Sequence, residues 1–261
     1  MRRIHYTHQY LLNPTHKITV DLVGLGGTGS QVLNGLARIN ESLMALNHPG
    51  LNVRAWDMDV VELPNIGRQL FSHADLGLNK ALVLVTRVNR FFGTEWEARP
   101  VAYTGKETSN ILITCVDSAK ARIDIGKEII PNKKAGRPID IQMPIDNIIY
   151  WMDIGNLQKT GQVVLGSMGE IRQPPKFEEY KEIPMLPTVI KMFPQLRKIK
   201  EEQQGPSCSL AEALQKQDLF INSTLAQFGC NLIWKLIREG SLTHHGCYVN
   251  MENLIVNPIK V

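Results

Sequence analysis

Residues 18–23 are largely β-branched and apolar and run straight into a glycine-rich turn. Beyond it, residues 31–46 carry Val32, Leu36, Ile39 and Leu43 at helical spacing. This order predicts strand, loop, helix. Residues 52–56 read as a second strand and 80–91 as a second helix. Residues 111–116 read as a fully buried strand, followed by a helix from 119 to about 130. Such alternation predicts a mainly parallel sheet wrapped by helices. Residues 148–154 and 162–165 look like two strands joined by the turn-rich GNLQKTG, which would close the sheet with a hairpin. From residue 170 the pattern breaks. Pro174, Pro175, Pro184, Pro187 and Pro194 among many charges mark an irregular excursion to about residue 206, either a crossover loop or a partner-binding lid. Residues 219–237 then carry Leu225, Phe228, Leu232, Ile233 and Leu236 as a helical stripe stopped by Gly240, suited to packing on the core or on a second subunit. Residues 247–259 predict one or two short strands. The expected fold class is α/β, a Rossmann-like doubly wound, mainly parallel sheet with a C-terminal antiparallel extension and helix.

With 261 residues and 43% hydrophobic content, the chain can bury one large core with a smaller C-terminal part. The formal charge of +4 comes from scattered residues apart from the basic stretch 191–200, so it lacks the cationic stripe of a nucleic-acid binder. MRRIHYTHQY leads into no apolar stretch of signal length, and no run approaches the ~18 apolar residues of a membrane span. The expectation is a cytoplasmic protein with neither nucleic acid nor membrane as partner. Cys115, Cys208, Cys230 and Cys247 form no CxxC, so structural zinc is not expected and free thiols in a reducing compartment are. His244-His245, beside Gly246, reads as a solvated turn.

The chemistry starts in VGLGGTGS. Gly24, Gly26 and Gly29 satisfy G-x-G-x-x-G after a predicted strand, and Gly27 adds another place for close backbone approach. N–H groups at the start of the following helix would face an anion with the helix dipole behind them. Asp57 and Asp59 end the second strand, where this fold places a carboxylate against a ribose. Asn65, Arg68, Gln69 and Lys80 follow. A pyrophosphate is held mainly by backbone amides, so the added Asn, Arg and Lys suit a triphosphate, and the set fits ATP better than NAD. Arg68 and Lys80 also have an ordinary reading as surface ion pairs with Glu62 or Asp75. Asp117, in Cys115-Val116-Asp117, suits either a metal ion or the cap of the helix after it.

VGLGGTGS, WDMDVVE, NIGRQ, DLGLNKA and CVDSAKAR stand in the order and approximate spacing of the ThiF/MoeB and ubiquitin-activating-enzyme superfamily, which residues 18–165 resemble. PSCSLAEALQKQDLFIN and the YWMDIGN…GQVVLG hairpin are most similar to the ThiF-like family of plasmid-associated PRTRC gene clusters. The expected organisation is a ThiF-like nucleotide-binding core over residues 1–169, by resemblance, an irregular crossover or insert over 170–206, read from composition and without a recognised motif, and a C-terminal helix and strands over 207–261 that complete the same domain. The resemblance implies a homodimeric, ATP- and Mg²⁺-dependent adenylyltransferase acting on the C-terminal carboxylate of a ubiquitin-like or sulfur-carrier protein. By resemblance, Asp57 would hold the ribose, Asn65 and Arg68 the phosphates, Lys80 the α-phosphate and Asp117 the Mg²⁺, with Asp59 near the metal or fixing the loop. Some members pass the acyl group to a cysteine. Cys208, before an expected helix in GPSCS, is the candidate here, or else a packing residue. The CxxC zinc motif of many relatives is missing, and Arg2 and Arg3 lack the surroundings of the N-terminal arginine that relatives lend to a partner subunit. An NAD-dependent oxidoreductase and a noncatalytic nucleotide-binding adaptor are the alternatives.

Overall fold

A computed structural model describes residues 2–130, 147–175, 179–198 and 217–261. In chain order its elements are β1 (Arg2–Tyr6), α1 (Gln9–Leu12), β2 (Ile18–Val23), α2 (Gly27–Ala45), β3 (Leu51–Trp56), α3 (Lys80–Phe92), β4 (Glu97–Arg99), β5 (Ile111–Thr114) and α4 (Ala119–Ile129). There follow β6 (Tyr150–Asn156), β7 (Thr160–Ser167), β8 (Tyr180–Glu182), α5 (Val189–Met192), α6 (Ile221–Arg238), β9 (Ser241–Leu242), β10 (His244–Asn250) and β11 (Ile255–Lys260). Eight strands form one sheet in the order β11-β10-β7-β6-β5-β2-β3-β4. β6, β5, β2, β3 and β4 run parallel, and β7, β10 and β11 extend the sheet antiparallel. A small second sheet joins β8, β1 and β9.

Local chemistry sets the element ends. Asn79 caps α3 by accepting from Leu82 N–H, and Gly93, at φ +68°, closes it in a left-handed cap while Ala81, Leu84, Val85 and Val88 turn inward. β5 and most of β6 are buried on both faces, as parallel strands covered by helices must be. One sheet face packs Leu22, Val53, Ile113 and Met152 against Leu33, Leu36, Leu84, Leu225 and Ile233 of α2, α3 and α6. The other packs Val23, Leu112 and Trp151 against Ile125, Val189 and Ile190 of α4 and α5. After β2 the chain moves outward to β3 and β4, then returns to the far side of β2 as β5. The carboxyl ends of β2 and β5 therefore form a topological switch point, where open α/β sheets bind ligands. Among the described residues no helix is long and apolar enough to cross a membrane.

The structure adds detail that the pattern missed. α2 begins at Gly27, because the turn needs a positive φ only at Gly24 (φ +87°). The hairpin turn is shorter than GNLQKTG: Gly155 pairs with Gln162 and Asn156 with Gly161, and Leu225 packs where Gly161 would carry a β-carbon. β4 and β8 are three-residue polar strands without alternation.

His245 is a correction. It lies in β10, 1% exposed, with Nδ1 bonded to Leu165 O, because the sheet continues through the residues that read as a turn. His5 of β1 is also buried, with Nδ1 on Ile183 O and Nε2 on the Tyr150 hydroxyl. Burial holds both imidazoles below their ordinary range, and His48 likewise. Because the folded state disfavours their protonation, their contribution is complete above the unfolded pKa of about 6.5 and fades as pH falls through the lower folded values. Urea unfolding should therefore show falling stability from pH 7.5 to pH 5, by up to about 1.4 kcal/mol per unit of displacement in His5 and His245 and by less in the more exposed His48. His5→Gln should flatten that slope, and an unchanged slope would remove His5 from the account.

Candidate active site

A cleft of about 440 Å³ opens at the carboxyl ends of β2, β3, β4 and β5. Gly24, Gly26, Asp57, Asp59, Lys80 and Asp117 all line it. Gly27, Gly29, Asn65 and Arg68 do not.

The glycine loop is fixed by close backbone contacts. Gly24 N–H donates to Trp56 O at 2.9 Å, and a β-carbon on Gly24 would lie 2.8 Å from Cys115 O. A β-carbon on Gly29 would fall 1.7 Å from Gly24 O, so α2 starts directly over the loop only with hydrogen there. Gly26 caps α2 without a side-chain acceptor, which leaves its first N–H groups available to an anion. Gly27 faces Asn222 of α6, whose Oδ1 accepts from Thr28 Oγ1 at 2.9 Å.

Asp57 is clamped from both sides. Its Oδ2 accepts from Leu25 N–H at 2.6 Å and its Oδ1 from Asp59 N–H at 2.9 Å. Burial raises its pKa above the ordinary carboxylate value, while those two bonds and the Lys80 charge pull the other way. Lys80 does not pair with Glu62 or Asp75. Its ammonium lies 3.1 Å from Asp59 Oδ2, with the lysine side chain 10% exposed and the aspartate 59% exposed; Asp75 is taken by Arg87. Lys80 thus brings a nearly buried cation to the cleft through a partner that water can still reach.

Asn65 Oδ1 accepts from Glu62 N–H and closes a short capped turn. The Arg68 guanidinium donates to Pro64 O and, at 2.8 Å, to Gln217 Oε1; burial lowers its pKa. Gln217 also accepts from Asn222 Nδ2, so Arg68 is linked through Gln217 and Asn222 to Thr28 at the helix start. Gln69 sits beside the same loop, its Nε2 3.9 Å from a β-carbon built on Gly26. Among the described residues its buried Oε1 finds no hydrogen-bond partner. Asn222 and Gln217 carried no legible signal in the sequence, since single amides before a helix are common.

Across the cleft, Ser118 and not Asp117 caps α4, accepting from Ala121 N–H at 3.0 Å. Asp117 is left exposed at the cleft wall. Cys115 is packed against the glycine loop, and burial pushes its thiol far up; Cys230 and Cys247 are pushed up to about 12 and about 11. Such thiols are packing groups rather than nucleophiles. Cys208 lies outside the described residues. Trp56 and Tyr103, ring centroids 5.3 Å apart, supply an apolar wall.

These residues fit a nucleotide triphosphate. The open helix N-terminus at Gly26 and Lys80 stand at the cleft, the orphaned Gln69 oxygen lies beside Gly26, and the aromatic wall offers a surface for a base. They also fit Mg²⁺. Among the described residues Asp57, Asp59, Asp117, Asp124 and Glu128 outnumber Lys80 in the cleft lining, so a polyanion needs added positive charge there. Among the described residues no three His, Cys, Asp or Glu side chains converge to hold a metal. Mg²⁺ suits that setting, since it is commonly bound by one or two carboxylates with phosphate oxygens and water.

Comparison with known proteins agrees with this architecture. PaaA has the same fold at 15% identity and a TM-score of 0.59, over 97% of this chain and 66% of that one. Escherichia coli MccB, solved with succinimide, matches at 17% identity and a TM-score of 0.55, over 97% and 65%. MccB solved with ATP matches at 16% identity and a TM-score of 0.51, over 97% and 65%. The chain thus spans just under two thirds of the length of these proteins, and identities this low speak for the fold alone. No curated protein sequence matches it significantly. The ThiF family model matches residues 11–238, from α1 to the last residue of α6, and the chain belongs to the ThiF family.

Proposed function

We propose that the protein is an ATP- and Mg²⁺-dependent adenylyltransferase that activates the C-terminal carboxylate of a ubiquitin-like or sulfur-carrier protein. The observation that carries this reading is the convergence of the uncapped α2 N-terminus, Lys80 and Asp117 on one cleft at the switch point. Family membership supports it, as does the fold shared with MccB, which has been solved with ATP and with MccA. A protein partner is further supported by Met58, Val60, Leu63 and Leu78, 45–67% exposed on the segment leading from the cleft. Met58 also lines the cleft itself. Exposed apolar side chains grouped beside a site commonly mark where another protein sits.

The chemistry joins a carboxylate oxygen to the α-phosphorus of ATP and breaks the bond to the β-phosphate oxygen, whose electron pair leaves with pyrophosphate. A chain-terminal carboxylate, with a pKa of about 3.3–3.7, is already ionised at neutral pH, so the protein need not remove a proton. Its task is to align two anions and neutralise their charge. Asp57, held rigid by Leu25 and Asp59, is placed to accept ribose hydroxyls. The N–H groups of α2 face the phosphate end, Gln69 stands beside the loop that carries them, and Arg68, which does not line the cleft, would reach the phosphates only by leaving Gln217. Lys80 meets the charge that builds at the α-phosphate, and Asp117 would hold Mg²⁺, which when bound would offset the charge of the departing pyrophosphate.

Thermal unfolding separates the readings, because a ligand that binds the native state raises its apparent stability. Mg-ATP should raise the midpoint by several degrees, ATP with a chelator should raise it less, and NAD should leave it unmoved. At a ligand concentration about 100 times Kd, the stabilisation is about 2.7 kcal/mol. Pyrophosphate exchange that appears only with a carrier protein then distinguishes a catalyst from an adaptor. A shift with NAD alone would overturn the proposal.

A further inference from the structure

The geometry points to Arg122 as a positioning residue for Asp117, acting through the peptide carbonyls on either side of it. Arg122, on α4, is 7% exposed, and Asp153, in the middle of β6, is fully buried. Arg122 Nε donates to both Asp153 oxygens, at 3.1 and 3.0 Å. Its Nη1 reaches Ser118 O at 3.3 Å, and its Nη2 reaches Val116 O at 2.5 Å and Ile154 O at 3.4 Å. One planar guanidinium therefore grips residues 116 and 118, the two neighbours of the carboxylate assigned to Mg²⁺.

The grip is itself anchored. Thr114 Oγ1 donates to Asp153 Oδ1 at 2.7 Å and receives Trp151 Nε1–H at 2.9 Å, so the last residue of β5, itself held by Trp151 of β6, fixes the aspartate. Gly155 leaves room for the guanidinium, since a β-carbon there would lie 2.8 Å from Nη2. Cys115 N–H still bonds Val23 O, after which the chain leaves the sheet on its way to the Ser118 cap. Stability alone does not call for this arrangement, because a buried ion pair is often replaceable by apolar residues at little cost. Lysine would keep the charge opposite Asp153 but lacks the fork that spans both carbonyls.

This inference rests on the nucleotide and Mg²⁺ reading above, and its test uses binding without turnover. ATP affinity is measured by calorimetric titration with Mg²⁺ and with a chelator, for the wild type, Arg122→Lys and the double variant Arg122→Met/Asp153→Leu. Urea unfolding is run on each. The wild type should bind ATP more tightly with Mg²⁺. Both variants should lose about tenfold or more of that gain, the usual effect of removing a group that orients a metal ligand. Their chelated-ATP affinity should stay within about twofold of the wild type, since Arg122 does not line the cleft. A full Mg²⁺ gain in the folded variants overturns the role of Arg122 and leaves the nucleotide reading standing. An equal fall with and without Mg²⁺, or loss of cooperative unfolding in both variants, makes Arg122 a scaffold residue and also overturns it. No ATP binding by the wild type would overturn the nucleotide reading and this inference together.

Discussion

Lys80→Ala is expected to lower carrier-dependent pyrophosphate exchange by about 10²- to 10³-fold, the effect of removing one preorganised donor to charge that develops in a transition state. The lysine is 10% exposed on its side chain, so its ammonium works where water screens it poorly, and among the described residues it is the one cation in the lining of a cleft rich in carboxylates. The fold should tolerate the change. Asp59, its partner, is 59% exposed and can be rehydrated, so the urea midpoint should shift by less than that of a buried pair. Lys80 also helps hold the Asp57 pKa down against burial. Without it the Asp57 pKa rises further, and the acid limb of the Mg-ATP binding profile should move to higher pH. Exchange near the wild-type rate, in a variant of confirmed fold, would remove Lys80 from the phosphate site.

Gly29→Ala should destabilise the fold by about 3 kcal/mol and abolish Mg-ATP binding, because the added carbon would fall 1.7 Å from Gly24 O. Backbone cannot rotate away as a side chain can. The start of α2 must move off the loop, and the loop is tied by Gly24 N–H to Trp56 O and by Leu25 N–H to Asp57. Gly26→Ala is the matched control: the nearest atom to its β-carbon is 3.9 Å away, so its stability should change by under about 1 kcal/mol. Urea unfolding with an unchanged denaturant slope reads both. Equal stability of the two variants would mean that α2 does not rest on Gly24.

Elements with strong periodicity were legible because their pattern is local. Strand, glycine turn and helix at residues 18–46, the helix beginning at Lys80 and the strand beginning at Ile111 lie close to where apolar spacing predicts them. β1, β4 and β8 were not legible, since short strands with charged residues owe their pairing to neighbours far along the chain. Residues 244–245 read as a turn for the same reason. Only the pairing of β10 with β7 turns His245 inward.

The candidate site divides along the same line. The sequence by itself determined the α/β class, the glycine loop and the order of Asp57, Asp59, Lys80 and Asp117, because each stands at the end of a strand or the start of a helix that local patterning defines. Tertiary structure decided the partners. It gave Lys80 to Asp59, released Asp117 from capping by offering Ser118, and joined Arg68 to Thr28 through Gln217 and Asn222. It also set Asp153 beneath Arg122, 31 positions apart in the chain. Such pairs depend on strand order and on which face a helix turns to the sheet, quantities fixed by the packing of the whole chain and not by the spacing of residues along it.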